Sequence, residues 1–170
     1  MRKFLELEAY VNTNVGWYGS PFQGAAKRGS LATVTLLLEH GADVNIRGGK
    51  HGFTLQAAVC YYPYHKPDTN TSFLKLLLVA GADVNAEGGL YGSALQAAAY
   101  RNVHRVKMLI EHGADVNQKG GRFGSPLGAA KANGLYRVVK LLLEHGVEDL
   151  GEPPLFLARR VGLKRNLQSI

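Results

Sequence analysis

The chain is expected to fold as an all-α repeat solenoid, a stack of helix–turn–helix units with outward hairpin-like loops. Three observations predict it. The pentapeptide Gly-Ala-Asp-Val-Asn begins at Gly41, Gly81 and Gly113, and a degraded fourth copy begins at Gly146. Successive copies are 40, 32 and 33 residues apart, a period that marks a supersecondary unit stacking on copies of itself. Before each copy lies an apolar run at helical spacing: Val34/Leu37/Leu38, Leu74/Leu77/Leu78, Val106/Leu109/Ile110 and Val139/Leu142/Leu143. Apolar residues at i, i+3 and i+4 form one stripe of an amphipathic helix.

Each element of the unit has a local reason. Asn12, Asn45, Asn85 and Asn117 set the register. Ser20, Ser93 and Ser125 stand where a first helix should start, and a hydroxyl there can accept from an orphan backbone N–H. Pro21 and Pro126 follow, at the first helical position, where proline is tolerated. Unit two has Phe53 at the capping position, so Thr54 is expected to cap instead. A large apolar residue comes next (Phe22, Leu55, Leu95, Leu127), then small ones such as Ala25-Ala26 and Ala97-Ala98-Ala99, which let short helices approach closely. Gly29 and Gly134 should break helix one from helix two, and Asn102 is expected to take the left-handed turn position in unit three. Gly41, Gly81, Gly113 and Gly146 should end helix two in a left-handed cap. His40, His112 and His145 precede that glycine in three units, where a histidine favours a helix C-terminus. Asp43, Asp83 and Asp115, with the pairs Gly48-Gly49, Gly88-Gly89 and Gly120-Gly121, should then turn the chain outward.

These residues carry a family resemblance. The order helix–turn–helix–GADVN–loop resembles the ankyrin repeat. The loop form Gly88-Gly89-Leu90-Tyr91-Gly92-Ser93-Ala94-Leu95-Gln96-Ala97-Ala98 is similar to ankyrin arrays of filamentous-fungal proteins, which are often attached to nucleotide-binding immune-type receptors. The resemblance covers nearly the whole chain. It implies a single domain over 1–170, with an N-terminal half-unit at 1–10 and units at 11–43, 44–83, 84–115 and 116–148. A C-terminal cap occupies 149–170, and unit two carries an insertion at 62–70. A start in mid-unit is expected either of a chain that begins there or of a piece of a longer array. One departure has consequences. The usual Thr-Pro-Leu-His start reads Ser20-Pro21-Phe22-Gln23 in unit one, and no unit keeps the histidine. Its inter-repeat hydrogen bonds must be remade by glutamine or lost.

Composition narrows the function. Cys60 is the single cysteine, which excludes a disulfide framework and a thiolate zinc site. No apolar run approaches the roughly 18 residues of a membrane span, and the N-terminus lacks a secretory apolar region. A cytoplasmic or nuclear monomer is expected. Histidines and carboxylates show no metal-ligand spacing, the glycine pairs are not phosphate loops, and neither cofactor nor metal is expected. Cys60 and His51 form the one weak nucleophile–base arrangement, without an evident orienting acid, so the chain is expected not to be an enzyme. The formal charge of +7 and pI near 9.6 point to an acidic partner.

In stacks of the kind this chain resembles, loop tips and the exposed side of each first helix form one concave face. By register that face collects Trp17, Tyr18, Lys27 and Arg28 from unit one, with Asn14. Unit two adds Arg47, Lys50, His51 and Tyr61, with Cys60. Unit three adds Tyr91, Tyr100 and Arg101, with Glu87 and Leu90. Unit four adds Lys119, Arg122 and Phe123, with Ala132 and Asn133. Seven of these are Lys or Arg and one is acidic. The expected function is therefore a non-enzymatic protein–protein interaction module, binding an acidic peptide or protein surface on a basic, aromatic face. The alternative is a polyanion binder for nucleic acid or acidic lipid, and a further one is an enzyme or small-ligand binder using the groove. The recurring ring position (Tyr18, His51, Tyr91, Phe123) reads equally as loop-to-loop packing. In the insertion, Tyr62 and Tyr64 beside Tyr61 suit either a binding loop or rings folded onto the helices.

Overall fold

The computed structural model describes residues 11–14, 16–60 and 69–149. They contain eight α-helices in antiparallel pairs and no strand. The first helices are α1 (Pro21–Arg28), α3 (Thr54–Cys60), α5 (Ala94–Ala99) and α7 (Pro126–Ala132). The second helices are α2 (Leu31–Glu39), α4 (Thr69–Val79), α6 (Val103–Glu111) and α8 (Tyr136–Glu144). First helices pack on first helices, α4, α6 and α8 pack in sequence behind them, and each pair is closed internally. The half-unit 1–10, Tyr61, most of the insertion and residues 150–170 of the cap lie outside the described residues. The last two residues of the expected insertion, Thr69 and Asn70, belong to α4. That helix runs 11 residues where α2, α6 and α8 have 9, so part of the surplus length extends a helix.

The caps follow from the sequence at three starts. Ser20, Ser93 and Ser125 accept from the backbone N–H of Gln23, Gln96 and Gly128. Thr54 does not cap: it lies inside α3, and its hydroxyl is buried without a hydrogen-bond partner among the described residues. Unit two instead satisfies the backbone N–H of Phe53 with Gln56 Oε1 at 3.2 Å, keeping the glutamine half of a capping box whose hydroxyl half is missing. Asn102 is likewise not left-handed. It is extended, with φ −157°, and its side chain accepts from His104 N and Arg105 N to cap α6. A short polar side chain gains two hydrogen bonds there without the steric cost of positive φ.

The expected stripes are the core. Val34 and Leu37, Leu74 and Leu77, and Val106 and Leu109 are buried against the alanine-rich first helices. Unit four departs. Val138 and Leu142 are buried, while Val139 is half-buried and Leu143 exposed. No described helix follows α8 to cover the far side of its stripe, so the residues at that side stay open.

Between units the contacts are polar and repeat with the sequence. Asn12, Asn45 and Asn85 each donate to the carbonyl of the next helix-ending glycine, Gly41, Gly81 and Gly113. Their Oδ1 atoms accept from the backbone N–H of Asp43, Asp83 and Asp115 at 2.7–2.8 Å. Those aspartates in turn accept from the N–H two residues on, closing the turn. Glutamine replaces the missing histidine: Gln23 donates to Ile46 O and Gly52 O, Gln56 to Ala86 O and Gly92 O, and Gln96 to Gln118 O. His40, His112 and His145 each bring Nδ1 to 2.8 Å from a carbonyl one turn back, at Leu36, Met108 and Leu141.

Candidate functional site

The loops are short hairpin-like excursions, bridged at Gly48 with Gly52, Gly88 with Gly92 and Gly120 with Gly124. Their tips are tied to one another through the backbone. Lys50 N donates to Trp17 O, Leu90 N to Lys50 O and Arg122 N to Leu90 O, at 3.1–3.3 Å. That approach explains the second glycine of each pair. At Gly89 φ is +65°, and a Cβ would lie 2.2 Å from His51 O; at Gly121 it would lie 2.1 Å from Tyr91 O. These positions need both a left-handed backbone and no side chain. The tips therefore form one continuous edge beside the first helices.

Side chains on this edge fall into two groups. At the unit-one end Trp17 and Tyr18 are exposed, at 69 % and 55 %. Lys27 Nζ sits 4.2 Å from the Tyr18 ring centroid, and Lys50 Nζ 5.6 Å from that of Trp17. At the other end Tyr100 stacks on Phe123 with centroids 4.8 Å apart, and Tyr91 lies about equally far from both, at 6.1 and 6.0 Å. Phe123 is buried in the core cluster, so its ring acts through packing and is not itself surface. Tyr91 and Tyr100 are half-buried around it. Arg101 and Arg122 lie over the Tyr91 and Phe123 rings at 5.8 and 5.5 Å, and Arg101 Nη2 donates to Tyr91 Oη at 3.2 Å. The ring ladder is thus packed at Phe123 and open at Tyr18. Arg28, Arg47 and Lys119 are exposed, while Tyr61 lies outside the described residues.

Between the two groups sits a cationic centre around His51. Burial first, then the charges of Lys50, Lys27 and Arg101, push the His51 pKa down to about 4. Both ring nitrogens are shut from solvent without a hydrogen-bond partner among the described residues, as is Arg101 Nε. Burial raises the Cys60 thiol, against the opposing pull of Arg101, Arg105, Lys50 and Lys27. At Arg101 burial opposes the charge, but the hydrogen bond to Tyr91 and the neighbouring Tyr91, Cys60 and Tyr100 outweigh it and hold the guanidinium charged. Cys60 and His51 accordingly move away from a thiolate–imidazolium pair, the form a nucleophilic cysteine needs. Among the described residues no group of His, Cys, Asp and Glu could hold a metal ion, and no helix is long and apolar enough to cross a membrane.

One contributor escaped the sequence reading. Arg105 is buried, at 5 % exposure, and donates from Nη1 to Val59 O at 2.7 Å, joining unit three to the end of α3. The signal was available: the same register holds Thr33, Phe73 and Val138 in the other units. A cation in a mostly apolar position is buried only with a partner.

A stack of helix pairs that presents one edge of tied loops beside a layer of first helices defines a repeat-scaffold protein. Its family follows from comparison: a model of three consecutive ankyrin repeats matches residues 65–151, and a single ankyrin-repeat model matches residues 20–49. The chain belongs to the ankyrin-repeat family. Ankyrin repeats serve in general as protein–protein interaction modules. Comparison with curated proteins found no match.

Proposed function

We propose that this chain is a non-enzymatic interaction module that receives an acidic peptide or acidic protein surface on the loop-tip and first-helix face, acting as a monomer in the cytoplasm or nucleus. One observation carries the reading. Lys27, Arg28, Arg47, Lys50, Arg101, Lys119 and Arg122 share this face with a single carboxylate, Glu87, and that carboxylate already accepts from Gln118 Nε2 at 3.3 Å. Exposed Trp17 and Tyr18 add the amphipathic rings that anchor protein partners. Tyr61, beside the insertion, completes the proposed contact set.

The test is the double charge reversal Arg47→Glu with Arg122→Glu. Both side chains are exposed, so melting should stay within a few degrees of the parent. Affinity for an acidic partner should fall several-fold or more, chiefly through slower association at low salt. An unchanged affinity for the true partner would refute the basic face. The pI near 9.6 supports a second reading, binding of a nucleic acid or acidic lipid surface. Retention on heparin whose salt slope drops by about one for each cation removed would favour it.

A further inference from the structure

From the His51 centre we infer that the partner segment is anchored by a phosphoryl group, seated among Lys27, Lys50, Arg101 and His51 where units one, two and three meet. The inference rests on the interaction-module reading and names the chemistry of its anchor. Two observations carry it. The first is unmet hydrogen bonding. His51 Nδ1 and Nε2 and Arg101 Nε are buried without partners among the described residues. A buried polar atom left unpaired costs about 1–3 kcal/mol, and three in one cluster stand apart from a stack whose other inter-unit polar groups are largely paired. The second is uncompensated charge. Lys27, Lys50 and Arg101 all act on His51 and on Cys60, Arg105 acts on Cys60 as well, and no carboxylate is among the groups that act on either.

The arrangement suits a multivalent anion. Arg101 is oriented by its bond from Nη2 to Tyr91 Oη, which leaves Nε for a ligand oxygen. Lys27 and Lys50 rest on the Tyr18 and Trp17 rings, contacts that a long flexible side chain can leave at small cost. A carboxylate brings one charge and two oxygens. A phosphoryl group brings a charge of about −1.5 to −2 at neutral pH and three acceptor oxygens, enough for Arg101, both lysines and the one N–H of a neutral imidazole. Entry needs the lysine side chains to swing off their rings, since the ring nitrogens of His51 are closed to solvent in the free protein.

The probe is inorganic phosphate, titrated near neutral pH into the full chain at constant ionic strength, with acetate as the carboxylate stand-in. Nuclear magnetic resonance follows the Arg101 Nε–Hε group and the His51 ring. Phosphate should shift both saturably at about millimolar concentration, at least about tenfold more tightly than acetate. Arg101→Gln should abolish the saturable shift at His51. Lys50→Gln, at an exposed position, should weaken it several-fold with the amide spectrum intact. Phosphate shifts that both variants retain would place the ion elsewhere, and a response linear in concentration for both anions would reduce it to ionic strength; either overturns the site. Acetate binding as tightly as phosphate would overturn the phosphoryl anchor while leaving the acidic-partner reading standing. That reading fails separately, through the Arg47/Arg122 reversal.

Discussion

His51 should make the fold acid-sensitive above the range where carboxylates titrate. Its ordinary pKa of 6.5 is lowered to about 4 in the folded chain, by burial first and then by Lys50, Lys27 and Arg101. The folded state therefore refuses a proton that the unfolded state accepts. Stability from this group is complete above about pH 6.5 and is lost progressively as the pH falls towards about 4. For a fully desolvated ring a shift of that size would correspond to about 3 kcal/mol. The His51 ring is only half-buried, and solvent screening brings the expected loss to about 1–2 kcal/mol. The measurement is urea unfolding of the parent and of His51→Gln from pH 7.5 to pH 4.5. Carboxylates and the exposed His40, His104, His112 and His145 titrate in both proteins and cancel in the difference. The parent should lose about 0.5–1 M more of its urea midpoint than the variant over that interval. Parallel curves would refute the reasoning, and a parent that gained stability in acid would show that His51 meets an anionic group.

Three further outcomes follow from the same geometry. Gly89→Ala should destabilise by about 3 kcal/mol or more, because its Cβ would strike His51 O, whereas Gly81→Ala, left-handed but with open space around it, should cost only about 1 kcal/mol; equal losses in thermal melting would show that loop-to-loop approach is not the constraint. Thr54→Val removes a buried, unpaired hydroxyl of nearly the same shape and should be neutral or stabilising by up to about 1 kcal/mol, which a lowered melting temperature would contradict. The Cys60 thiol, raised by burial, should react with a disulfide reagent at neutral pH more slowly than an unfolded-state thiol, and rapid labelling of the native chain would revive the nucleophile reading.

The scaffold was legible because its signals are local and repeat. Serine caps, terminal glycines and the helical stripe each depend on a few neighbouring residues, and several copies in register reinforce one another. The misreadings fall where the repeat is broken. Phe53 in place of serine suggested a shifted cap at Thr54, but the helix start stayed put and Gln56 took over part of the capping. Asn102 in place of glycine suggested a left-handed residue, but an asparagine can cap the next helix and did. The stripe of α8 could not be placed on Val139 because burial there depends on what stacks beyond it. The face was legible in membership and not in arrangement. Register put His51, Lys27, Lys50 and Arg101 on one side, yet the closing of both His51 nitrogens and the burial of Phe123 arise from packing between units, which no single repeat encodes.

The backbone ties between tips have a consequence for how a bound chain would be indexed. Lys50, Leu90 and Arg122 occupy equivalent places on successive loops and are joined through their main chains, so their separation is set by the scaffold and does not drift with side-chain motion. An array of near-identical steps would let an extended ligand slip by one step at little cost. This edge is not uniform. Arg47 and Lys50 on one loop and Lys119 and Arg122 two loops on bracket a loop that carries Glu87 and Leu90 at the same places. A ligand displaced by one step would set its acidic groups against Glu87 and its apolar ones against cations. The alternation gives the surface a phase, so a partner whose charges carry the matching interval is held at one offset, and its neighbours in the same array of steps are penalised.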